Sequence, residues 1–139
     1  MTISEKKIIL KSYAETEGRI RDLREQKRDF LLRFGSSANG IPGGTVNGTK
    51  TEKAVEHIEN ILYKLSQEEE NLLAIEYRIV RAISDLNDVR QRRVLQMKYI
   101  GKGVRYKQRW GFGRIAREMN YSERWIKEIH YNALRNLKL

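Results

Sequence analysis

Apolar residues recur at helical spacing along most of this chain. In the first stretch Ile9, Tyr13, Ile20, Leu23, Phe30 and Phe34 form a stripe broken by Thr16 and Lys27. That spacing predicts an amphipathic helix over residues 1–34, running from about Ser4 to Phe34. Ser4 is its expected N-cap and Gly35 its expected stop. In the second stretch Ile58, Leu65, Leu72, Ile79 and Leu86 follow one another at sevens, with Ile61, Glu68, Ile75 and Ala82 between them. Only Glu68 breaks this seam, so residues 51–87 read as a heptad coiled-coil helix, capped by Thr49 or Thr51. Residues 35–50 separate the two. They hold the chain's single proline, Pro42, and a run of glycines, and they predict a flexible linker. A short loop between two long helices favours an antiparallel hairpin. Pairing between two chains satisfies the same pattern. No segment alternates apolar and polar residues for long, so strands have no candidate.

The pattern shortens after Asp88. Val89, Val94, Leu95, Met97, Tyr99 and Ile100 punctuate a basic helix that Gly101 and Gly103 end. A basic loop, Lys102 to Arg109, follows. Ile115, Ala116 and Met119 then share one face of a short helix, and Ala116 is small enough to let another helix cross closely. Asn120 and Tyr121 make a turn in which asparagine tolerates left-handed backbone angles. Ser122 is a good N-cap for a last helix beginning near Glu123, whose buried stripe is Ile126, Ile129, Ala133, Leu134 and Leu137. Residues 88–139 therefore predict a helix-turn-helix DNA-binding domain. The expected fold class is all-α, a long coiled-coil hairpin followed by that domain.

Charge makes the expectation more specific. The chain carries +10 overall, yet residues 51–88 hold 4 basic and 9 acidic side chains while residues 89–139 hold 14 basic and 3 acidic, a net +11. Such a block repels itself unless it meets a polyanion, and it attracts phosphates at long range. Glu123, Arg124, Lys127, Glu128 and Tyr131 point outward between the buried positions of the last helix. Arginine or lysine can donate to guanine O6 and N7, and glutamate can accept from cytosine N4. Arg105, Lys107, Arg109, Arg114 and Arg117 are candidates for phosphate contacts, with Ser122 and Tyr131 as further backbone contacts. Trp125 lies beside the buried stripe, where core packing and base contact are both open. Trp110 and Phe112 read as core.

Other chemistries find little support. Gly43 and Gly48 have phosphate-loop spacing, but Thr49 displaces the lysine and no strand precedes them. His57 and His130 sit on separate segments and suggest no metal site. Glu68, Glu69 and Glu70 read as a solvated face. No nucleophile–base constellation appears, so neither an enzyme nor a cofactor is expected. There are no cysteines for disulfides, and no apolar run approaches the roughly 20 residues that span a bilayer. A protein of the cytoplasm, without a membrane partner, is the expectation.

The run Ser122-Glu123-Arg124-Trp125-Ile126-Lys127-Glu128-Ile129, with Ala133-Leu134-Arg135-Asn136-Leu137, resembles the last helix of region four of sigma-70-type transcription factors. Arg93 to Gly101 is similar to the first helices of that module. The resemblance implies that Glu123, Arg124, Lys127 and Glu128 read base edges. The whole layout, with Thr49-Lys50-Thr51-Glu52-Lys53-Ala54-Val55 opening the second helix, looks like RinA- and ArpU-like phage late-gene regulators. That implies a transcriptional activator on double-stranded promoter DNA in a bacterial host, with RNA polymerase as a further partner and homo-oligomers through the coiled coil. Val104-Arg105-Tyr106-Lys107-Gln108-Arg109-Trp110 departs from the sigma pattern as an insertion, either an arm on the DNA backbone or an extended first turn. Two rival readings fit the same layout: a phage small terminase subunit for DNA packaging, and a module that docks on RNA polymerase.

Overall fold

The computed structural model describes residues 1–38, 48–101 and 108–139. Every element among them is helical: α1 (Ile3–Ala38), α2 (Gly48–Ser84), α3 (Val89–Leu95), α4 (Phe112–Met119) and α5 (Glu123–Asn136). Residues 39–47, inside the expected linker, lie outside the described residues. No described helix is long and apolar enough to cross a membrane.

The start of α1 differs from the expectation. Thr2 is the cap, not Ser4. Its Oγ1 accepts from the Glu5 backbone N–H at 3.1 Å, and Glu5 Oε2 accepts in return from the Thr2 N–H at 2.7 Å. This reciprocal capping box satisfies two donors at once, which Ser4 could not do alone. The other end differs too, because α1 continues through Gly35 to Ala38. One glycine costs a helix only about 1 kcal/mol, and Ser36, Ser37 and Ala38 tolerate the helical state. In α2 the helix begins at Gly48, so Thr49 and Thr51 are helical residues rather than caps.

The chain forms two compact units. One comprises Thr16–Leu72; the other comprises Met1–Glu15 together with Leu73–Leu139. In the first unit, Ile20, Ile61 and Leu65 are buried. Arg19 Nε pairs with Glu68 Oε1 at 3.1 Å, Arg24 with Glu69 at 3.3 Å, and the rings of Phe30 and His57 lie 5.8 Å apart. Residue numbers fall from Glu68 to His57 as they rise from Arg19 to Phe30, so these two segments run antiparallel. Thr16, expected to interrupt the stripe, is fully buried, and its hydroxyl accepts from Arg19 at 2.9 Å. Glu68 and Glu69 are half-buried and paired rather than freely solvated.

The second unit holds the short helices. Asp88 caps α3, its carboxylate accepting from the N–H groups of Arg90 at 2.8 Å and Gln91 at 3.4 Å. α3 runs into a wider π-helical turn over Gln96–Ile100, which buries Met97, Tyr99 and Ile100. Gly101 closes that turn at φ 96°, where a Cβ would be strained. Val94, Met97, Ile115, Ala116, Ile126 and Ile129 make the core, flanked by Trp110, Phe112 and Met119.

The N-terminal residues belong to this unit. Leu10 and Tyr13 are fully buried, and Lys6 keeps only 9% of its surface. Lys6 Nζ donates to the backbone oxygens of Leu134 at 2.7 Å and Arg135 at 3.3 Å, the last turn of α5. Those carbonyls have no partner within the helix, and a cation there also meets the negative end of the helix dipole. Lys6→Met is expected to cost about 2 kcal/mol, because the carbonyls lose their donor while the apolar stem stays packed. Urea unfolding would measure it, and a midpoint within error of the parent chain would refute the contact's value.

Candidate nucleic-acid interface

α4 and α5 meet through Asn120, Tyr121 and Ser122. Asn120 is the sole non-glycine residue with positive φ among the described residues, at φ 57° and ψ 41°. This left-handed turn stops α4 and lets the Tyr121 N–H reach back to the Ala116 oxygen at 3.0 Å. Ser122 then caps α5, its Oγ accepting from the Trp125 N–H at 3.1 Å. From α3, Arg90 hydrogen-bonds Tyr121 and lies by Asp88; these contacts raise its guanidinium pKa. The turn is thus held from both sides.

The buried stripe of α5 is the one its sequence predicts, Ile126, Ile129, Ala133, Leu134 and Leu137, with His130 added. The opposite face follows from 3.6 residues per turn. Arg124, Glu128, Tyr131 and Arg135 lie along its centre at intervals of four, three and four, and all are exposed. Glu123 and Lys127 lie on the flank toward α4. They pair with each other at 3.8 Å, and a Cβ placed on Gly113 would lie 3.8 Å from Glu123 Oε2. The four residues expected to read bases therefore divide into two central ones and two at the α4 side. Arg135 joins the central face, its guanidinium 6.0 Å from the Tyr131 ring. Its four-residue spacing from Tyr131 is the signal that could have found it.

The expected phosphate contacts divide as well. Arg114 and Arg117 project outward from α4, Arg114 stacking at 4.2 Å over Trp110. Arg109 turns inward. Its Nε donates to the Tyr99 backbone oxygen at 2.9 Å, and its guanidinium lies 5.4 Å from the Tyr13 ring. Arg105 and Lys107, with most of the insertion, lie outside the described residues. Trp125 is 40% exposed, so it does not complete the core. Trp110 and Phe112 pack partly buried against it.

His130 sits beneath this surface. Its Nε2 is 2.7 Å from the Tyr99 hydroxyl, and Phe112 meets its ring edge-on at 5.0 Å. Burial, then the charges of Lys98 and Lys7, lower the imidazole pKa to about 4, so the ring is neutral at pH 7. Burial likewise pushes the Tyr99 hydroxyl up to about 12. The pair is an uncharged interior contact that fixes α5 against the π-helical turn.

No protein-family model matches the chain, and no curated protein or solved structure matches it either. An exposed helix some 10–12 Å across, with arginine and glutamate along its outer face, has the size and donor–acceptor chemistry that a major groove about 12 Å wide accepts.

Proposed function

We propose that this chain is a sequence-specific double-stranded DNA-binding protein that reads the major groove with α5. In this reading α4, the turn at Asn120 and α5 are a helix-turn-helix of the sigma region-four kind. Arg124 and Glu128 contact base edges at the centre, with Glu123 and Lys127 at the flank. Arg114 and Arg117 hold phosphates, Ser122 and Tyr131 sit near the backbone, and Arg109 is reserved for the domain's interior. The observation that carries the proposal is the outward face Arg124, Glu128, Tyr131 and Arg135 within a segment of 14 basic and 3 acidic residues. The antiparallel sense of the contacts Arg19–Glu68 and Phe30–His57 supports a coiled-coil hairpin within one chain. The resemblance to RinA- and ArpU-like regulators makes the biological role activation of phage or prophage late genes, beside RNA polymerase in the bacterial cytoplasm.

Footprinting across a phage or host genome would find the bound site. On that site Arg124→Ala is expected to cost roughly 1–3 kcal/mol and to relax specificity at one base pair. An unchanged ratio of affinities for cognate and scrambled duplexes would remove Arg124 from base reading.

A further inference from the structure

Two lysines from separate parts of the chain flank one aromatic ring, and two more stand on the turns of α1 that pack into the same unit. Lys98 Nζ, from the π-helical turn, stands 4.0 Å from the centre of Phe112. Lys127 Nζ, from α5, stands 5.9 Å from the same ring. Lys7 and Lys11 stand on the first turns of α1, on either side of buried Leu10, where Lys6 Nζ ties the helix to the Leu134 and Arg135 oxygens of α5. Their charges add to burial, the larger cause, in disfavouring the ammonium of Lys98. Lys7 and Lys11 are four residues apart and so share a helix face. All four belong to the same compact unit.

Counter-charge is scarce here. Lys127 has Glu123 at 3.8 Å, but among the described residues no carboxylate pairs with Lys7, Lys11 or Lys98. The other compact unit treats its cations differently. There Arg19 and Arg24, further along the same α1, each meet a glutamate of α2. Clustered unpaired ammonium groups repel one another, and a polyanion in front of them removes that cost. The cluster is built of lysines, which act as point charges without the planar fork that selects a particular base or carboxylate. It also runs up to Lys127, on the α4 flank of α5.

We propose that Lys7, Lys11 and Lys98, with Lys127 beside them, form a second phosphate-binding surface through which the N-terminal end of α1 grips the backbone of duplex DNA next to the reading helix. This rests on α5 being the duplex reader, and it adds α1 to the DNA-binding surface. The contacts are to phosphates, so they strengthen binding to every sequence alike.

The salt dependence of binding to a random-sequence duplex tests this without knowledge of the operator. Each phosphate contact contributes about 0.9 to the slope of log affinity against log salt. The Lys7→Gln/Lys11→Gln variant is expected to lose close to two contacts' worth of slope and at least about ten-fold in affinity near 0.1 M salt. Lys11→Gln alone, at an exposed position, is expected to lose about half as much slope with an unchanged thermal transition. The loss should be equal on cognate and random duplexes. A parent chain that binds duplex DNA, with variants of unchanged slope, would overturn the second surface and leave the reading helix standing. A parent chain that binds no duplex at low salt would overturn the DNA-binding reading, and this surface with it.

Discussion

Leu10→Ala and Tyr13→Ala are each expected to destabilise the unit that carries α5 by about 3 kcal/mol, although both lie more than a hundred residues from it in sequence. Each side chain is fully buried. Removing it loses transfer free energy and leaves a cavity, which for such truncations costs about 2–5 kcal/mol. An ordinary domain is stable by only about 5–15 kcal/mol, so the double variant approaches the whole margin. Tyr13 also supports the guanidinium of Arg109, which in turn holds the Tyr99 carbonyl. Thermal unfolding followed by helical circular dichroism and by the near-ultraviolet signal of Trp110 would register the loss. A fragment of residues 73–139 that melts cooperatively at the temperature of the full chain would contradict it.

Acidification is expected to remove about 3 kcal/mol through His130 alone. The imidazole has an ordinary pKa of 6.5 when unfolded and about 4 when folded, because burial and then Lys98 and Lys7 disfavour its charged form. The folded value is the lower one, so the unfolded chain binds the proton more readily. The contribution is complete above pH 6.5 and is lost as pH falls from there toward 4. A shift of 2.5 at 1.36 kcal/mol each gives the total of about 3 kcal/mol, of which about 2 should be gone by pH 5. Denaturant unfolding at pH 7, 5 and 4 would trace it. His130→Phe should lower stability at pH 7, since the Tyr99 hydroxyl then lacks its partner, and should flatten the slope over this window. A variant as steep as the parent would assign the effect to other groups.

Much of the C-terminal arrangement was legible because it is local. Asn120 in the left-handed region, Ser122 as cap and the stripe from Ile126 to Leu137 are each set by neighbours within a few residues, and the structure has all three. Periodicity reveals which face of a helix is covered but not what covers it. The stripe containing Tyr13 therefore predicted α1 without revealing that its first turns pack with the last helix of the chain. Nothing local marks Lys6 as a lysine that will meet the carbonyls of Leu134 and Arg135. Thr16 and Glu68 looked like breaks in apolar seams. A buried threonine whose hydroxyl meets Arg19, and a glutamate whose Oε1 pairs with the same arginine, fill such seams once a partner arrives, with Glu68 Oε2 left buried without a hydrogen bond as the cost. The capping box of Thr2 and Glu5 carried a sequence signature, Thr-x-x-Glu, that the choice of Ser4 passed over.

The contact between Lys6 and the end of α5 has a consequence for synthesis on the ribosome. Chains grow from the N-terminus at about 5–20 residues per second, so some ten seconds separate the translation of Lys6 from that of Leu134. Throughout that interval Leu10 and Tyr13 have no finished core to enter. The nascent chain must carry an exposed apolar helix face until α5 emerges. A stop codon before the end of α5 would leave that face exposed for good, so such truncated products should be aggregation-prone and quickly degraded.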